Sequence, residues 1–314
     1  MAVAELWSAR VPGHSGHMLA MNPEGDRVFV GDGYGVAYAS LSLRTLRARD
    51  GAEAARVRTR HQQPRALTHR GPSVLMATDS RLFELNGSDL AIQETWDHRV
   101  PRYTDAMELQ DRKVLMTNWL KPGAAVFDLG TGRVSRWTLE PGLRQLRIGA
   151  DLAIYSLHSG LLRRVDARSR TGEPILRGER GRWVALAANR WLAVLVARWE
   201  VDPGGVEQPA ASSRELVIHD LQAGTARRVR LSRDTVAVEA GQSAELWLMQ
   251  RGQGARVLPS IVERLDAASG EAFDRFTSPP GTDVVGAVPR HSVLLFGVPA
   301  YSENKCTIRC AIVT

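Results

Sequence analysis

Leu246-Trp247-Leu248-Met249, followed downstream by Leu265-Asp266-Ala267-Ala268-Ser269-Gly270-Glu271-Ala272-Phe273-Asp274-Arg275-Phe276, decides the fold. The first stretch is apolar at every position and too short for a helix. It reads as a strand buried on both faces. In the second, Asp266 and Gly270 bracket a tight turn, because Asp with Gly supplies the positive φ angles that a short hairpin requires. The residues after the turn read as a further strand that ends in an aromatic. The two stretches together are consecutive antiparallel strands, with nothing of helical length between them.

The same pair recurs along the whole chain. Apolar runs begin at Val28, Val74, Val114, Leu152, Leu192, Leu246 and Val293, and their mean spacing is about 44 residues. Turns of the second kind follow at Asn86-Gly87, Asp128 to Gly132, Asp166 to Gly172, Asp220 to Gly224 and Asp266 to Gly270, and Trp96, Trp137 and Phe276 end the strands after three of them. Pro- or Gly-containing links precede the repeats at Pro12-Gly13, Pro64, Pro101, Pro141-Gly142, Gly181 and Pro279-Pro280-Gly281. Each period has room for four short strands and no useful helix, the signature of a β-propeller. Seven runs predict an all-β, seven-bladed β-propeller, a single domain over residues 1–314, where length alone suggests about two domains. After the last run only one strand remains, Lys305 to Thr314. Residues 2–11 are spare, and their Trp7 stands where Trp96 and Trp137 stand in their own outer strands. The N-terminal strand is therefore expected to complete the seventh blade beside Lys305–Thr314, which removes a free sheet edge.

The segments Leu265-Asp-Ala-Ala-Ser-Gly-Glu-Ala-Phe-Asp-Arg-Phe276 and Phe127-Asp-Leu-Gly-Thr-Gly-Arg-Val-Ser-Arg-Trp137 resemble the outer-blade turns of bacterial propellers of the PQQ-like, YVTN and WD40-like repeat superfamily. The resemblance covers the chain as a repeat pattern and implies the fold. It does not carry quinone chemistry: the tryptophan-docking spacing is off by one at Trp137, and there is no vicinal cysteine pair. No cofactor is expected, since fold alone assigns no function.

Composition narrows the class. Hydrophobic residues make up 44% and charged residues 24%, which excludes a disordered chain or collagen. The net charge is +7, and only Lys113, Lys121 and Lys305 are lysines, so the positive charge is carried by arginine. The longest apolar run, Trp191 to Ala197, is far short of the roughly 18 residues of a membrane span. Glu5 and Arg10 interrupt the place where a signal peptide would be apolar, so a cytoplasmic protein is expected. Cys306 and Cys310 are four residues apart on one strand, about 13 Å, against a limit of roughly 7 Å for a disulfide. They read as free thiols, and two cysteines at this spacing are too few for a structural zinc site.

Three motifs carry less chemistry than they first suggest. Gly13-His14-Ser15-Gly16-His17 lacks the second Gly of a nucleophile elbow and joins two strands. Gly31-Asp32-Gly33-Tyr34-Gly35 is followed by a strand, whereas a dinucleotide fingerprint needs a helix to receive the pyrophosphate. Asp105, Asp234 and Asp283 fall near inner-strand starts, where propeller lactonases place metal ligands, but no matching Asn or Glu accompanies them. An enzyme of hydrolase or lactonase type, or a binder of a small anion, at the mouth of the central channel is the alternative function.

Arg65, Arg102, Arg144, Arg182 and Arg233 each sit at or just before an inner strand, with His14, His61, His98 and Arg99 in the same links. In a propeller these positions ring one channel mouth, and the guanidinium groups would focus positive potential on an anion there. Nucleic acid is not expected, because the arginines are not interleaved with stacking aromatics. Three connections are longer than the rest: Glu200 to Ser213, Arg251 to Leu258 and Pro299 to Asn304, each between the second and third strands of its blade. Propeller topology puts them side by side on the arginine-bearing face. Trp119, Trp199 and Tyr301, with Arg251 and Arg256, are its candidate partner-binding anchors. The sequence thus predicts a non-enzymatic scaffold that binds another protein through one loop-rich, arginine-rich face. By analogy of size and lack of export, its context is the propeller subunit of a bacterial system containing a MoxR-type ATPase and a von Willebrand A protein.

Overall fold

The computed structural model describes residues 3–12, 19–22, 24–31, 42–59, 64–78, 80–97, 106–118, 123–137, 144–150, 153–158, 160–166, 172–176, 179–210, 212–241, 243–250, 261–277, 293–300 and 305–313. Their regular elements are all strands, and among them no helix is long and apolar enough to cross a membrane. The chain divides into two compact units, one of Val3–Pro141 with Thr282–Thr314 and the other of Gly142–Gly281 with Met1–Ala2.

In the first unit, β1 (Val3–Pro12) precedes three four-stranded antiparallel sheets. The first sheet is β2 (Leu19–Met21), β3 (Arg27–Gly31), β4 (Ser42–Arg47) and β5 (Glu53–Arg58). The second is β6 (Ala66–Arg70), β7 (Ser73–Ala77), β8 (Arg81–Asn86) and β9 (Ile92–Asp97). The third is β10 (Ala106–Gln110), β11 (Lys113–Asn118), β12 (Gly123–Asp128) and β13 (Val134–Trp137). The second unit begins with a fourth sheet, β14 (Arg144–Ile148), β15 (Ala153–His158), β16 (Leu161–Asp166) and β17 (Gly172–Pro174). It continues with β18 (Gly181–Ala187), β19 (Trp191–Val196), β20 (Trp199–Val201), β21 (Glu207–Pro209), β22 (Ser213–Asp220), β23 (Thr225–Ala240), β24 (Glu245–Gln250), β25 (Ile261–Asp266) and β26 (Ala272–Thr277). In the first unit again, β27 (Val293–Ala300) and β28 (Lys305–Val313) form a three-stranded sheet with β1, in the order β1-β28-β27.

The apolar runs occupy the second strand of each four-stranded sheet, and the alternation of a strand explains why they are apolar throughout. Val74 and Met76 of β7 pack with Ala20, Phe29 and Leu43 of the first sheet. Leu75 and Ala77, one residue out of phase, pack with Val114, Met116, Ala125 and Phe127 of the third. In the second unit Leu192 and Val194 of β19 meet Ala153, Tyr155 and Leu157, while Ala193 and Leu195 meet Leu246 and Leu248. Within the first unit the second sheet is thus covered on both faces by its neighbours, and within the second unit β19 is likewise covered on both sides.

The turns leading out of the third strands follow one pattern. The fifth residue donates its N–H to the carbonyl of the first at 2.7–2.9 Å in Arg47–Gly51, Asn86–Leu90, Asp128–Gly132, Asp220–Gly224 and Asp266–Gly270. Four of these end on glycine at positive φ; the other ends on Leu90, at φ 60°, whose side chain is buried between the first two sheets. The turn aspartates fold back on their own backbone. Asp220 Oδ1 accepts from Gln222 and Ala223 N–H at 3.0 and 3.1 Å, and Arg190 clamps both carboxylate oxygens at 3.0 and 2.6 Å. The Arg190 bonds and these backbone donors hold the Asp220 carboxyl at about 2, below its ordinary 3.8.

β1 pairs antiparallel with β28 from Val3↔Val313 to Pro12↔Lys305, the pairing expected for residues 2–11. Trp7 seals the joint: it is 8% exposed, and its Nε1 donates to Ala48 O at 2.6 Å. Gly51 has no Cβ because one would lie 2.6 Å from the indole. Cys310 is buried beneath the same turn as a free thiol, and burial pushes it up to about 12. The side chain of Cys306 lies outside the described residues.

Two expectations change. Separate four-stranded blades were expected, yet β23, over which no Pro- or Gly-containing link was read, runs unbroken through sixteen residues and joins two sheets into one of seven strands, β18-β19-β22-β23-β24-β25-β26. Its sequence contains no Pro or Gly to end it. The connection expected at Pro299 to Asn304 is shorter than predicted, since Pro299 and Ala300 remain in β27, paired with Cys306 and Lys305. The long β27–β28 ladder keeps these residues extended.

Replacing Trp7 by alanine should cost about 3–5 kcal/mol of stability, measured by urea unfolding, and deleting residues 1–12 should lower the melting temperature strongly. An unchanged melting curve would show that β1 is dispensable. For Asp220 the folded carboxyl titrates below its unfolded value, so the Arg190 pair stabilises fully above about 3.8 and is lost as pH falls through about 2. Arg190→Gln should therefore move the Asp220 carboxyl titration, followed by NMR, toward 3.8 and start acid unfolding at a higher pH.

Candidate functional site

In the second unit, the stretch between β19 and β22 leaves the sheet and folds into a hairpin of its own, β20 and β21, paired from Trp199↔Pro209 to Val201↔Glu207. The turn is built by Asp202, whose Oδ1 accepts the Gly204 and Val206 N–H groups, both at 2.9 Å. At its tip Val201 and Val206 are 65% and 61% exposed, among the most exposed large apolar side chains of the described residues.

The hairpin is clamped at its base. The Arg180 guanidinium lies 4.4 Å over the Trp199 ring and donates from Nη1 to Glu207 at 2.8 Å. Beneath the ring is Gly160, at φ +78°; a Cβ there would meet the indole at 2.5 Å and Arg180 Cβ at 2.7 Å. Backbone bonds from Ala197 N–H to Arg180 O (3.0 Å) and from Ala210 N–H to Arg198 O (2.9 Å) fix both legs.

A groove of about 720 Å³ opens at the foot of the hairpin, with Arg198, Ser212, Arg214, Glu215, Arg230 and Asp234 in its walls. It exists because β23 bows away from β22. Glu215 pairs with Arg230 and Ser213 with Thr235, so one residue of β22 faces four of β23. Asp234 is bound by Arg214 Nε at 2.7 Å. Glu215 accepts from Arg228 Nη1 at 2.5 Å, and Arg228 also contacts Glu179, which together raise the Arg228 pKa above its ordinary value. His219, on the neighbouring stretch of β22, is half-buried; burial lowers its pKa and favours the neutral ring.

The sequence-predicted residues are distributed as follows. Trp199 is half-buried under Arg180 and holds the hairpin to the sheet. Arg182 is half-buried in β18, and Arg233 is half-buried within β23, where its carbonyl accepts from Thr235 Oγ1 at 3.2 Å. Arg65, in the other unit, precedes β6 and donates its N–H to Ala77 O at 2.8 Å. Arg144 opens β14, described there by its backbone. Trp119, Arg102, Arg251, Arg256 and Tyr301 lie outside the described residues, as do Asp105 and Asp283. Among the described residues no group of three or more His, Cys, Asp and Glu side chains is placed to hold a metal ion. Arg180, Gly160, Arg198 and Arg230 were not singled out in sequence. Gly181 marked the link where Arg180 lies, but nothing local connects that link to Gly160 or Trp199.

No protein-family profile matches the chain, and no curated protein matches its sequence. Solved structures do. The WD40 domain of Neurospora crassa Pan2 superposes with a TM-score of 0.64 at 10% identity, over 98% of this chain and 95% of that one. The β-propeller domain of Myceliophteria thermophila Cps50 (Swd1) superposes with a TM-score of 0.64 at 13% identity, over 99% of this chain and 100% of that one. The chain is similar in fold to WD40 β-propellers. At such identities the likeness carries the propeller fold alone. In propeller terms the hairpin is an insertion between the second and third strands of one blade, and loops on such a scaffold vary without disturbing the buried strands.

Arg180→Ala removes the ring stack and the Glu207 bond together. It should loosen the hairpin by about 1 kcal/mol and speed limited proteolysis at Gly204-Gly205 severalfold, with little change in the melting temperature of the sheets. Unchanged cleavage would show that the clamp does not hold the hairpin.

Proposed function

We propose that this chain is a non-enzymatic protein-interaction scaffold: a single seven-bladed propeller, its last blade completed by β1, that docks a protein partner on the face carrying the Trp199–Pro209 hairpin. The observation that carries the reading is the clamped hairpin. A tip with two exposed valines is held at a fixed position by a stacked arginine, a glycine seat and backbone bonds. A rigid apolar tip loses little conformational freedom when a partner covers it, so most of the burial energy of the valines goes to binding. Arginine-rich walls beside the tip supply the polar rim that such interfaces use. In this reading the propeller acts in the cytoplasm, and the partner set to examine first is a MoxR-type ATPase with a von Willebrand A protein.

A photo-crosslinking residue placed at Val201 or Val206 in the native host should give one discrete protein adduct. The adduct should disappear when the segment between Arg198 and Ser213 is shortened to Gly-Ser. The same probe at Ile92, equally exposed on another sheet, should not give it. No adduct at either valine, or the same adduct at Ile92, would overturn the proposal.

A further inference from the structure

We propose that the groove at the foot of the hairpin binds an extended acidic peptide segment of the protein partner, its carboxylates gripped by Arg198 and Arg230. This deepens the docking reading above and rests on it for the partner's being a protein.

Charge pairing within the groove carries the inference. Three arginines and two carboxylates line it, and both carboxylates are already engaged, Asp234 by Arg214 and Glu215 by Arg228. Arg198 and Arg230 are exposed, and neither has an ion-pair partner among the described residues. Two guanidinium groups of this kind in one concave site offer paired N–H donors that match a carboxylate bidentately. The engaged carboxylates limit how much further anionic charge is welcome, which suits dispersed glutamates or aspartates better than a continuous phosphate backbone. The lining contains no aromatic ring, so it has no platform for a nucleobase and little of the apolar enclosure of a small-molecule pocket. The residues that β23 sets apart from β22 lengthen the site along the strand direction, the shape an extended peptide fills.

The probe is a fluorescein-labelled peptide of alternating glutamate and glycine, titrated with the full chain and followed by anisotropy. Binding should weaken as salt rises from about 50 mM to about 300 mM. The double variant Arg198→Glu/Arg230→Glu should weaken it about tenfold or more, and Arg198→Gln/Arg230→Gln by less but in the same direction. Arg136→Glu, at an exposed arginine of β13, should change it by less than about twofold. Val201→Ser/Val206→Ser should leave peptide binding intact, so the groove is read separately from the hairpin tip that the crosslink reports. The proposal is overturned if the wild-type chain does not bind the peptide, or if Arg136→Glu weakens binding as much as the groove variants. Displacement of the peptide by equimolar inorganic phosphate, or tighter binding of a single-stranded oligonucleotide, would overturn it as well.

Discussion

The second strand of each four-stranded sheet is apolar on both faces, and a strand of that kind cannot be left at a surface. Val74 and Met76 point one way, Leu75 and Ala77 the other, and each pair finds a different neighbouring sheet. A sheet of that kind is not a stable object by itself: the second sheet buries one face against the first sheet and the other against the third. Stacking is therefore a condition of folding, and the repeat of about 44 residues is that condition written along the chain. The hydrophobic effect supplies the attraction, and the two-residue alternation of a strand directs it to both sides at once.

The same rule governs the end of the stack. The first sheet presents Val28 and Val30 on the side away from the second sheet, and they are covered by Trp7, Val11, Ile308 and Cys310. Those residues come from opposite ends of the chain and are brought together by the β1–β28 ladder. Trp7 makes the contact specific as well as apolar, since its indole N–H must reach Ala48 O and its ring must fit over Gly51.

Much of this was legible in sequence because it rests on local patterns. All-apolar runs of three to five residues, and Asp/Asn-plus-Gly turns after them, mark strands and hairpins without knowledge of what packs where. The place of Trp7 could be read by analogy with Trp96 and Trp137, although its seat on Gly51 could not. The candidate site was less legible. Its position between two strands of one blade followed from the excess length of residues 200–213, and Asp202-Pro203-Gly204-Gly205 is a turn signal from which the hairpin can be recognised. The clamp joins Gly160, Arg180, Trp199 and Glu207, which are remote in sequence and meet only through packing. That Arg198 and Arg230 have no ion-pair partner among the described residues is likewise invisible in a chain so rich in arginine, because it depends on which carboxylates other arginines have already taken.

The unbroken β23 strand has a consequence for how the second unit opens. Two neighbouring sheets hydrogen-bond to one continuous backbone, so neither can peel away without bending or releasing the strand that the other also uses. Amides of β22 and β24 are thereby tied to a common opening event, which is the physical condition for exchanging as one foldon. The bowed residues 231–234, where that shared backbone is free of its β22 partner, are the natural point at which such an opening begins.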